Sequence, residues 1–266
     1  MLQRFGFRLA VFFFSIIFIP CLSIAEMPEK SFILKIKDSR SFLTPASMPL
    51  QAIVVKTADW SAFTASLQCY EKQPDDGLWY AVGEPVPAVV GRNGLGWGTG
   101  IHSLTTAFGP VKREGDGKAP AGIFLFGDAF GYAPVDDVLW IKLSYRQAAS
   151  HLHCVDDVHS IHYNRLVDTK KVEKRWQSYE EMRRRDDQYR LGVVVQHNAD
   201  PVVPGQGSCI FLHIWLGPDV GTSGCTAVEA RHMEALLRWL DPQATPVLIQ
   251  LPESEYVRLR STWRLP

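Results

Sequence analysis

Length, composition and charge limit the chain to a few protein classes. It has 266 residues, 46% of them hydrophobic and 21% charged, which suits a single domain of generous size. Its 28 basic and 28 acidic residues cancel at pH 7. The sequence shows no basic stripe of the kind that binds a phosphate backbone, so we expect no nucleic-acid partner.

The first 25 residues have the layout of a signal peptide. Arg4 and Arg8 form a positive start, the apolar run Leu9–Ile19 follows, and Ser23-Ile24-Ala25 supplies small residues at the cleavage site. That apolar run has about 11 residues, whereas a helix that spans a bilayer needs roughly 20. No later segment approaches that length. We therefore predict an exported protein of the periplasm or cell envelope, with no transmembrane segment after cleavage.

Cleavage would leave four of the five cysteines, and export would place them in an oxidising compartment. Cys21, inside the signal segment, could serve as a lipoprotein acylation site, but the residues before it match that signal poorly. Four cysteines are too few for a disulfide scaffold. If Cys225 stays reduced, at most one bridge forms among Cys69, Cys154 and Cys209, and the sequence leaves its pairing open.

Short apolar and β-branched runs separated by turn residues dominate the chain from Gln51 onward, a pattern typical of strands. The predicted strands are residues 52–55, 66–72, 78–82, 87–90, 122–126, 139–143, 192–196, 208–216 and 247–251. The second and third flank Pro74-Asp75-Asp76-Gly77, a turn sequence. The runs at 192–196 and 208–216 carry apolar residues on both faces, so we expect them to be buried. The pattern predicts a mainly β fold with a few helices.

Two segments show helical spacing. Residues 169–190 are strongly charged and carry Trp176, Tyr179 and Met182 on one side, which predicts a surface helix. Residues 227–240 carry an apolar stripe that ends at Asp241-Pro242, and this is the best predicted helix of the chain. The stripe consists of Met233, Leu236, Leu237 and Leu240. No element is predicted for residues 253–266.

The candidate site lies in residues 207–227, which read GSCIFLHIWLGPDVGTSGCTA. Thr226 and Glu229 match a capping box, which places Cys225 beside the start of the predicted helix. A helix N-terminus lowers the pKa of a thiol and offers N–H groups to an oxyanion. His213, on a predicted buried strand 12 residues earlier, can accept the thiol proton. The pattern predicts a cysteine nucleophile activated by a histidine.

Plainer interpretations compete with this one. A cysteine in an apolar environment is usually an inert small hydrophobe, and a strand histidine is usually a core residue whose hydrogen bonds are satisfied. Cys209 lies on the same strand face as His213, four residues away, and is a second candidate nucleophile. It lies inside an apolar strand with no helix start beside it, so we predict that it is inert.

The order strand, histidine, loop, Ser-Gly-Cys resembles the catalytic motif of the L,D-transpeptidases, the YkuD-like family of peptidoglycan cross-linking enzymes. Further segments resemble a divergent branch of that family, and together they run from about Trp60 to Leu251. These segments are residues 91–98 (GRNGLGWG), 114–122 (EGDGKAPAG), 155–157 (VDD), 163–164 (YN), 176–178 (WQS), 197–198 (HN) and 207–213 (GSCIFLH).

The resemblance implies roles for four residues. In that family the cysteine attacks a carbonyl of a peptidoglycan stem peptide, and an amine or water resolves the acyl-enzyme. By resemblance Cys225 is the nucleophile, His213 is the base, and Gly224 with the backbone beside Cys225 shapes the oxyanion site, next to Ser223. The commoner motif has a histidine where this chain has Ser223, and an Asn or Arg where it has Ala227.

The resemblance also implies a β-sandwich catalytic domain over residues 26–252, followed by a C-terminal tail at 253–266. Two alternatives stay open: an L,D-carboxypeptidase or amidase that uses the same acyl-enzyme, and a non-catalytic wall-binding protein. Papain-like and NlpC-like hydrolases fit less well because they place the cysteine before the histidine in the chain.

A histidine-rich segment could suggest a metal site. Seven potential ligands lie within 12 positions: His151, His153, Cys154, Asp156, Asp157, His159 and His162. Their spacing matches no closed zinc pattern. We therefore expect neither a metal nor another cofactor. We assign Asp116 to turn chemistry and His197-Asn198 to a structural role.

Overall fold

The computed structural model of the protein describes residues 48–73, 75–102 and 108–266. The predicted signal peptide lies outside these described residues. Strands account for most of the regular structure, and the prediction of a mainly β fold is confirmed. The strands are β1 (Gln51–Thr57), β2 (Thr64–Lys72), β3 (Trp79–Val89), β4 (Leu95–Trp97), β5 (Ala119–Gly131), β6 (Tyr145–Gln147), β7 (Leu152–Val155), β8 (Arg165–Asp168), β9 (Tyr179–Glu181), β10 (Leu191–Val195), β11 (Phe211–Ile214), β12 (Thr226–Val228) and β13 (Val247–Pro252). The helices are α1 (Ala230–Trp239) and α2 (Glu253–Trp263).

The main sheet has ten strands, nine of them in the order β10-β11-β12-β3-β2-β1-β13-β5-β4, with β6 beside β5. Long strand β5 also pairs with β10, so the sheet closes on itself and its strands face one another across the core. Ile53, Phe124 and Leu248, from β1, β5 and β13, are fully buried. Strands β11 and β12 pair in parallel, and β12 also pairs with β3.

Strand predictions fail where tertiary pairing extends or replaces a local pattern. The runs at 78–82 and 87–90 form one strand, β3, which pairs with β2 across an irregularity between Leu67 and Cys69. Residues 139–143 are not a strand and instead follow a short 3-10 helix, Val135–Val138. The run at 208–216 is a strand only at Phe211–Ile214, so Cys209 precedes β11 instead of lying within it.

The predicted surface helix at 169–190 is wrong. This segment contains β9 and turns, and β9 pairs with β7. Its apolar residues serve separate clusters: Trp176 packs with Val155 and Val167, while Met182 packs in another cluster with Cys154. These apolar side chains are therefore buried without forming one face of a helix.

The helix after the site begins later than predicted. Helix α1 starts at Ala230, and its buried stripe contains Met233, Leu236 and Leu237, as predicted. Thr226 lies in β12, where its hydroxyl donates to Gln250 Oε1 at 2.6 Å, so the capping box does not form. Helix α2, for which the sequence predicts no element, buries Tyr256 and Leu259. None of the described helices has the length and hydropathy needed to cross a membrane.

A second, three-stranded sheet of order β8-β7-β9 covers residues from 152 to 181. A disulfide between Cys154 on β7 and Cys209 ties this small sheet to the segment that leads into β11. Cys69 and Cys225 are free thiols. The single bridge that the sequence allows is therefore present, and its pairing is Cys154–Cys209.

Candidate active site

A cavity of about 500 Å³ contains both residues of the predicted catalytic pair, Cys225 and His213. Its wall also includes four side chains that the sequence did not single out: Lys112, Glu180, Arg184 and Tyr189. Polar and charged groups therefore surround a thiol and an imidazole, as they do in sites that bind polar substrates.

The pairing of β11 with β12 brings Cys225 and His213 to one cavity. His213 pairs with Ala227, and side chains of paired residues project to the same side of a sheet. Cys225 directly precedes β12, and both Cys225 and His213 line the same cavity. The backbone N–H of Phe211 donates to the Cys225 Sγ at 3.3 Å, so the thiol lies against the start of β11.

His213 is held in the tautomer that suits a general base. Its Nδ1 lies 2.8 Å from the carbonyl oxygen of Ile214, which can only accept, so in the neutral ring Nδ1 carries the proton and Nε2 does not. The ring of Tyr189 packs edge-on at 5.1 Å between centroids. Burial lowers the pKa of His213 to about 4, so the imidazole is neutral at neutral pH.

The environment of Cys225 differs from the one predicted. No helix begins beside it, because residues 226–228 form β12 and α1 starts at Ala230. Burial raises the pKa of the thiol well above its ordinary value, and the negative charge of Glu180 adds to this effect. The prediction of a thiol pKa lowered by a helix N-terminus is therefore wrong. The resting pair is a neutral thiol and a neutral imidazole.

The turn before Cys225 is fixed by Thr222. Its hydroxyl donates to the carbonyl oxygen of Cys225 at 2.6 Å and accepts the N–H of Gly224 at 3.1 Å. Gly224 has φ +156°, and a Cβ there would lie 3.1 Å from the carbonyl oxygen of Lys118. The exposed Ser223 accepts a hydrogen bond from Arg92 at 3.2 Å. Gly224 and Ser223 thus shape the backbone next to the thiol.

Glu180 and Tyr189 form a pair in the cavity wall that the sequence did not reveal. The Tyr189 hydroxyl donates to Glu180 Oε2, and burial raises the pKa of both groups. Arg184 lies 5.0 Å from the Tyr189 ring and forms two hydrogen bonds, at 3.0 and 2.8 Å, to the carboxylate of Asp186. All four belong to the charged segment interpreted as a surface helix, and nothing in the local sequence distinguishes Glu180 from its charged neighbours.

Several segments that carry the family resemblance meet at the entrance to β11. Glu114 accepts from the hydroxyl of Tyr163 and from that of Ser208, the latter at 2.7 Å. Asn164 donates to the carbonyl oxygens of residues 197 and 198 at 2.9 and 2.8 Å, and its own carbonyl accepts the N–H of Cys209 at 2.9 Å. This network holds Cys209, whose carbonyl oxygen lies 3.5 Å from the Cys225 Sγ.

The remaining sequence candidates occupy structural positions. His197 accepts the N–H of Thr99 at 3.2 Å and lies 2.9 Å from the carbonyl oxygen of Gln206. Asp116 accepts the N–H groups of Arg113 and Lys118 at 2.7 and 2.9 Å, as expected for turn chemistry.

The side chains of the histidine-rich segment make separate contacts. His153 stacks on Tyr179 with 3.8 Å between ring centroids, and His162 packs edge-on against Trp176 at 5.7 Å. In the part of the chain that the structure describes, no three His, Cys, Asp or Glu side chains are arranged to hold a metal ion.

Comparison with known proteins identifies the family. The family model of the YkuD L,D-transpeptidase catalytic domain matches residues 77–249, more than half of the chain. Among solved structures, the helical cell shape determining protein Pgp2 from Campylobacter jejuni aligns with 80% of this chain at 12% identity and a TM-score of 0.37. The chain spans 53% of that structure's length. No curated protein matches the chain. The chain belongs to the YkuD family of L,D-transpeptidase catalytic domains.

Proposed function

We propose that the protein is an exported cysteine acyltransferase that acts on peptidoglycan stem peptides through a Cys225 acyl-enzyme. The observation that carries this proposal is the placement of His213, on β11, and Cys225, directly before its partner strand β12, in the wall of one cavity. Family membership supplies the substrate class. The mature enzyme would begin after the signal peptide at residues 1–25 and carry its catalytic domain in residues 26–252.

The first half-reaction begins from the neutral pair. As the Cys225 sulfur attacks the peptide carbonyl, His213 Nε2 accepts the thiol proton, so no free thiolate has to exist in the buried site. The tetrahedral intermediate then expels the amine of the departing residue. The proton held by His213 passes to that amine, which leaves a thioester on Cys225.

The second half-reaction reverses these roles. An acceptor amine attacks the thioester, gives its proton to His213 and forms a new amide, while the sulfur leaves and recovers a proton. Water in place of the amine gives a carboxylic acid, the outcome expected of a carboxypeptidase or amidase. The oxyanion would form beside Gly224 and Ser223, where the turn fixed by Thr222 holds the backbone. This chemistry requires only the side chains already present and no cofactor.

The test is intact-mass spectrometry of the mature protein incubated with a tetrapeptide stem peptide. We expect wild type to gain the mass of the acyl group, and Cys225→Ser to gain no thioester. Cys69→Ser is the matched control, because it removes the other free thiol and should leave the adduct unchanged. Added amine should shorten the lifetime of the adduct and yield a cross-linked product.

Other outcomes separate the alternatives. An adduct whose decay is unaffected by amine would replace transpeptidation by hydrolysis. A wild-type protein that binds stem peptides but forms no adduct would contradict the proposal and favour a wall-binding role.

A further inference from the structure

We infer that Lys112 is a further catalytic residue of the proposed acyl transfer, in which its buried ammonium group donates a hydrogen bond to the oxyanion of the tetrahedral intermediate. The inference rests on the proposed function and adds a residue to it. Neither the family match nor the sequence pattern points to this lysine.

The burial of Lys112 is unusual for its residue type. Only 3% of its side chain is exposed, although lysine is almost never fully buried unless it is paired. Its ammonium group carries three N–H donors. One donates to Asp116 Oδ1 at 2.7 Å and another to the carbonyl oxygen of Arg113 at 2.6 Å. The third has no acceptor among the described residues, and Lys112 lines the cavity that contains Cys225.

Two glycines allow this lysine to reach the nucleophile. The Lys112 Nζ lies 3.9 Å from the position that a Cβ would occupy on Gly224, the residue before Cys225. Its Cε lies 3.0 Å from the corresponding position on Gly207. A side chain at position 207 would crowd the lysine, whereas a Cβ at position 224 would make an ordinary contact with its ammonium group. The ammonium group is thereby held next to the backbone of the Gly224–Cys225 segment.

The backbone of this site is short of oxyanion donors. The Gly224 N–H is already bonded to Thr222 Oγ1 at 3.1 Å. The Cys225 N–H donates no hydrogen bond within the part of the chain that the structure describes, so it remains available. Because α1 starts only at Ala230, no helix N-terminus contributes further N–H groups beside the thiol. A side-chain donor beside the Cys225 N–H would add to the stabilisation of the oxyanion.

Two cations line the cavity among the described residues, and their surroundings differ. Arg184 is held by Asp186 through two nitrogens, at 3.0 and 2.8 Å, and lies over the Tyr189 ring. Lys112 has a spare N–H, and its Nζ lies 3.9 Å from where a Cβ on Gly224 would be. Its positive charge also lowers the pKa of the Cys225 thiol, against the larger effect of burial. Lys112 is therefore the better placed of the two to stabilise negative charge at the reacting carbonyl.

The test compares two reactions of the same thiol. Acylation by the stem peptide builds an oxyanion, whereas alkylation by iodoacetamide does not. We expect Lys112→Met to slow acylation by about 100- to 1000-fold, the usual effect of removing one oxyanion donor, and to slow alkylation less than tenfold. Lys118→Met is the matched control, because the Lys118 ammonium group bonds to the carbonyl oxygen of Asn93 and should leave both rates unchanged.

A second variant separates the loss of the oxyanion donor from the effect of an unpaired Asp116. Lys112→Met leaves Asp116 without its cation, so the double variant Lys112→Met with Asp116→Asn removes the pair together and should show the same selective loss. Near-wild-type acylation in either folded variant would overturn the inference. Equal losses in acylation and alkylation would also overturn it, because they would assign Lys112 to the thiol instead of the oxyanion. Failure of wild type to form any adduct would refute the proposed function, and the role of Lys112 with it.

Discussion

The Cys154–Cys209 disulfide should contribute strongly to the stability of the fold, and to the site in particular. It joins the three-stranded sheet to the segment before β11, and both sulfurs lie in an apolar cluster with Met182, Tyr189 and Cys225. We consider the double replacement Cys154→Ala with Cys209→Ala. Alanine avoids placing an unpaired hydroxyl in this apolar cluster.

The expected loss follows from the length of chain that the bridge closes. The two cysteines are 55 positions apart, and the chain-entropy model gives about 4 kcal/mol at 25 °C for a loop of that length. For a protein of this size, such a loss corresponds to a decrease in Tm of roughly 8–16 °C. The loss would be largest for the small sheet, whose β9 supplies Glu180 to the cavity wall.

Urea unfolding of the mature protein without reductant measures this loss directly. Cys69→Ala is the control, because Cys69 is a free thiol and its replacement removes no cross-link from the unfolded chain. Hydrogen exchange should show faster opening of β7–β9 in the double variant than in the control. A double variant whose free energy of unfolding lies within about 1 kcal/mol of the control would refute this reasoning.

Three further predictions follow from the site and its surroundings. His213→Ala should lower the acylation rate by about two to four orders of magnitude while urea unfolding stays cooperative, and His232→Ala, at a partly buried position in the first turn of α1 outside the site cavity, should change it little. Gly224→Ala should slow acylation at least tenfold and cost about 1–3 kcal/mol of stability, because its φ is strained for other residues; unchanged values of both would contradict this. Burial holds the pKa of His102, His197 and His213 at about 4, below the ordinary 6.5, so the unfolded chain binds protons that the folded one does not. Stability should therefore fall as pH drops from about 6.5 to 4, by up to about 4 kcal/mol per pH unit, and equal unfolding midpoints at pH 7 and pH 5 would exclude this.

Local patterns in the sequence were enough to find seven of the thirteen described strands and to single out His213 and Cys225 as the candidate pair. The buried runs that became β10 and β11 were recognisable because both of their faces are apolar. The stripe containing Met233, Leu236 and Leu237 identified α1 because its apolar residues recur at helical spacing on one face. The chain order of His213 and Cys225 then indicated the family, and the parallel pairing of their strands explains why that order brings them together.

The errors arise where distant partners decide the structure. Thr226 and Glu229 match a capping box, which is worth about 1 kcal/mol, but residues 226–228 hydrogen-bond to strands on both sides and this outweighs the cap. The thiol pKa was misjudged for the same reason, because it depended on that helix start. Lys112 could not be recognised from the sequence, because the segments that pack around it, at Gly207 and Gly224, are distant in the chain.

The position of β13 has a consequence for how the protein is made. This strand lies between β1 and β5, in the middle of the sheet, yet it follows β1 by almost 200 residues. A growing chain that has not yet produced residues 247–252 therefore carries two open strand edges, which can pair with other chains. Completion of the sheet must wait for this late segment, so a chain that ends before Val247 would leave the facing edges of β1 and β5 unpaired.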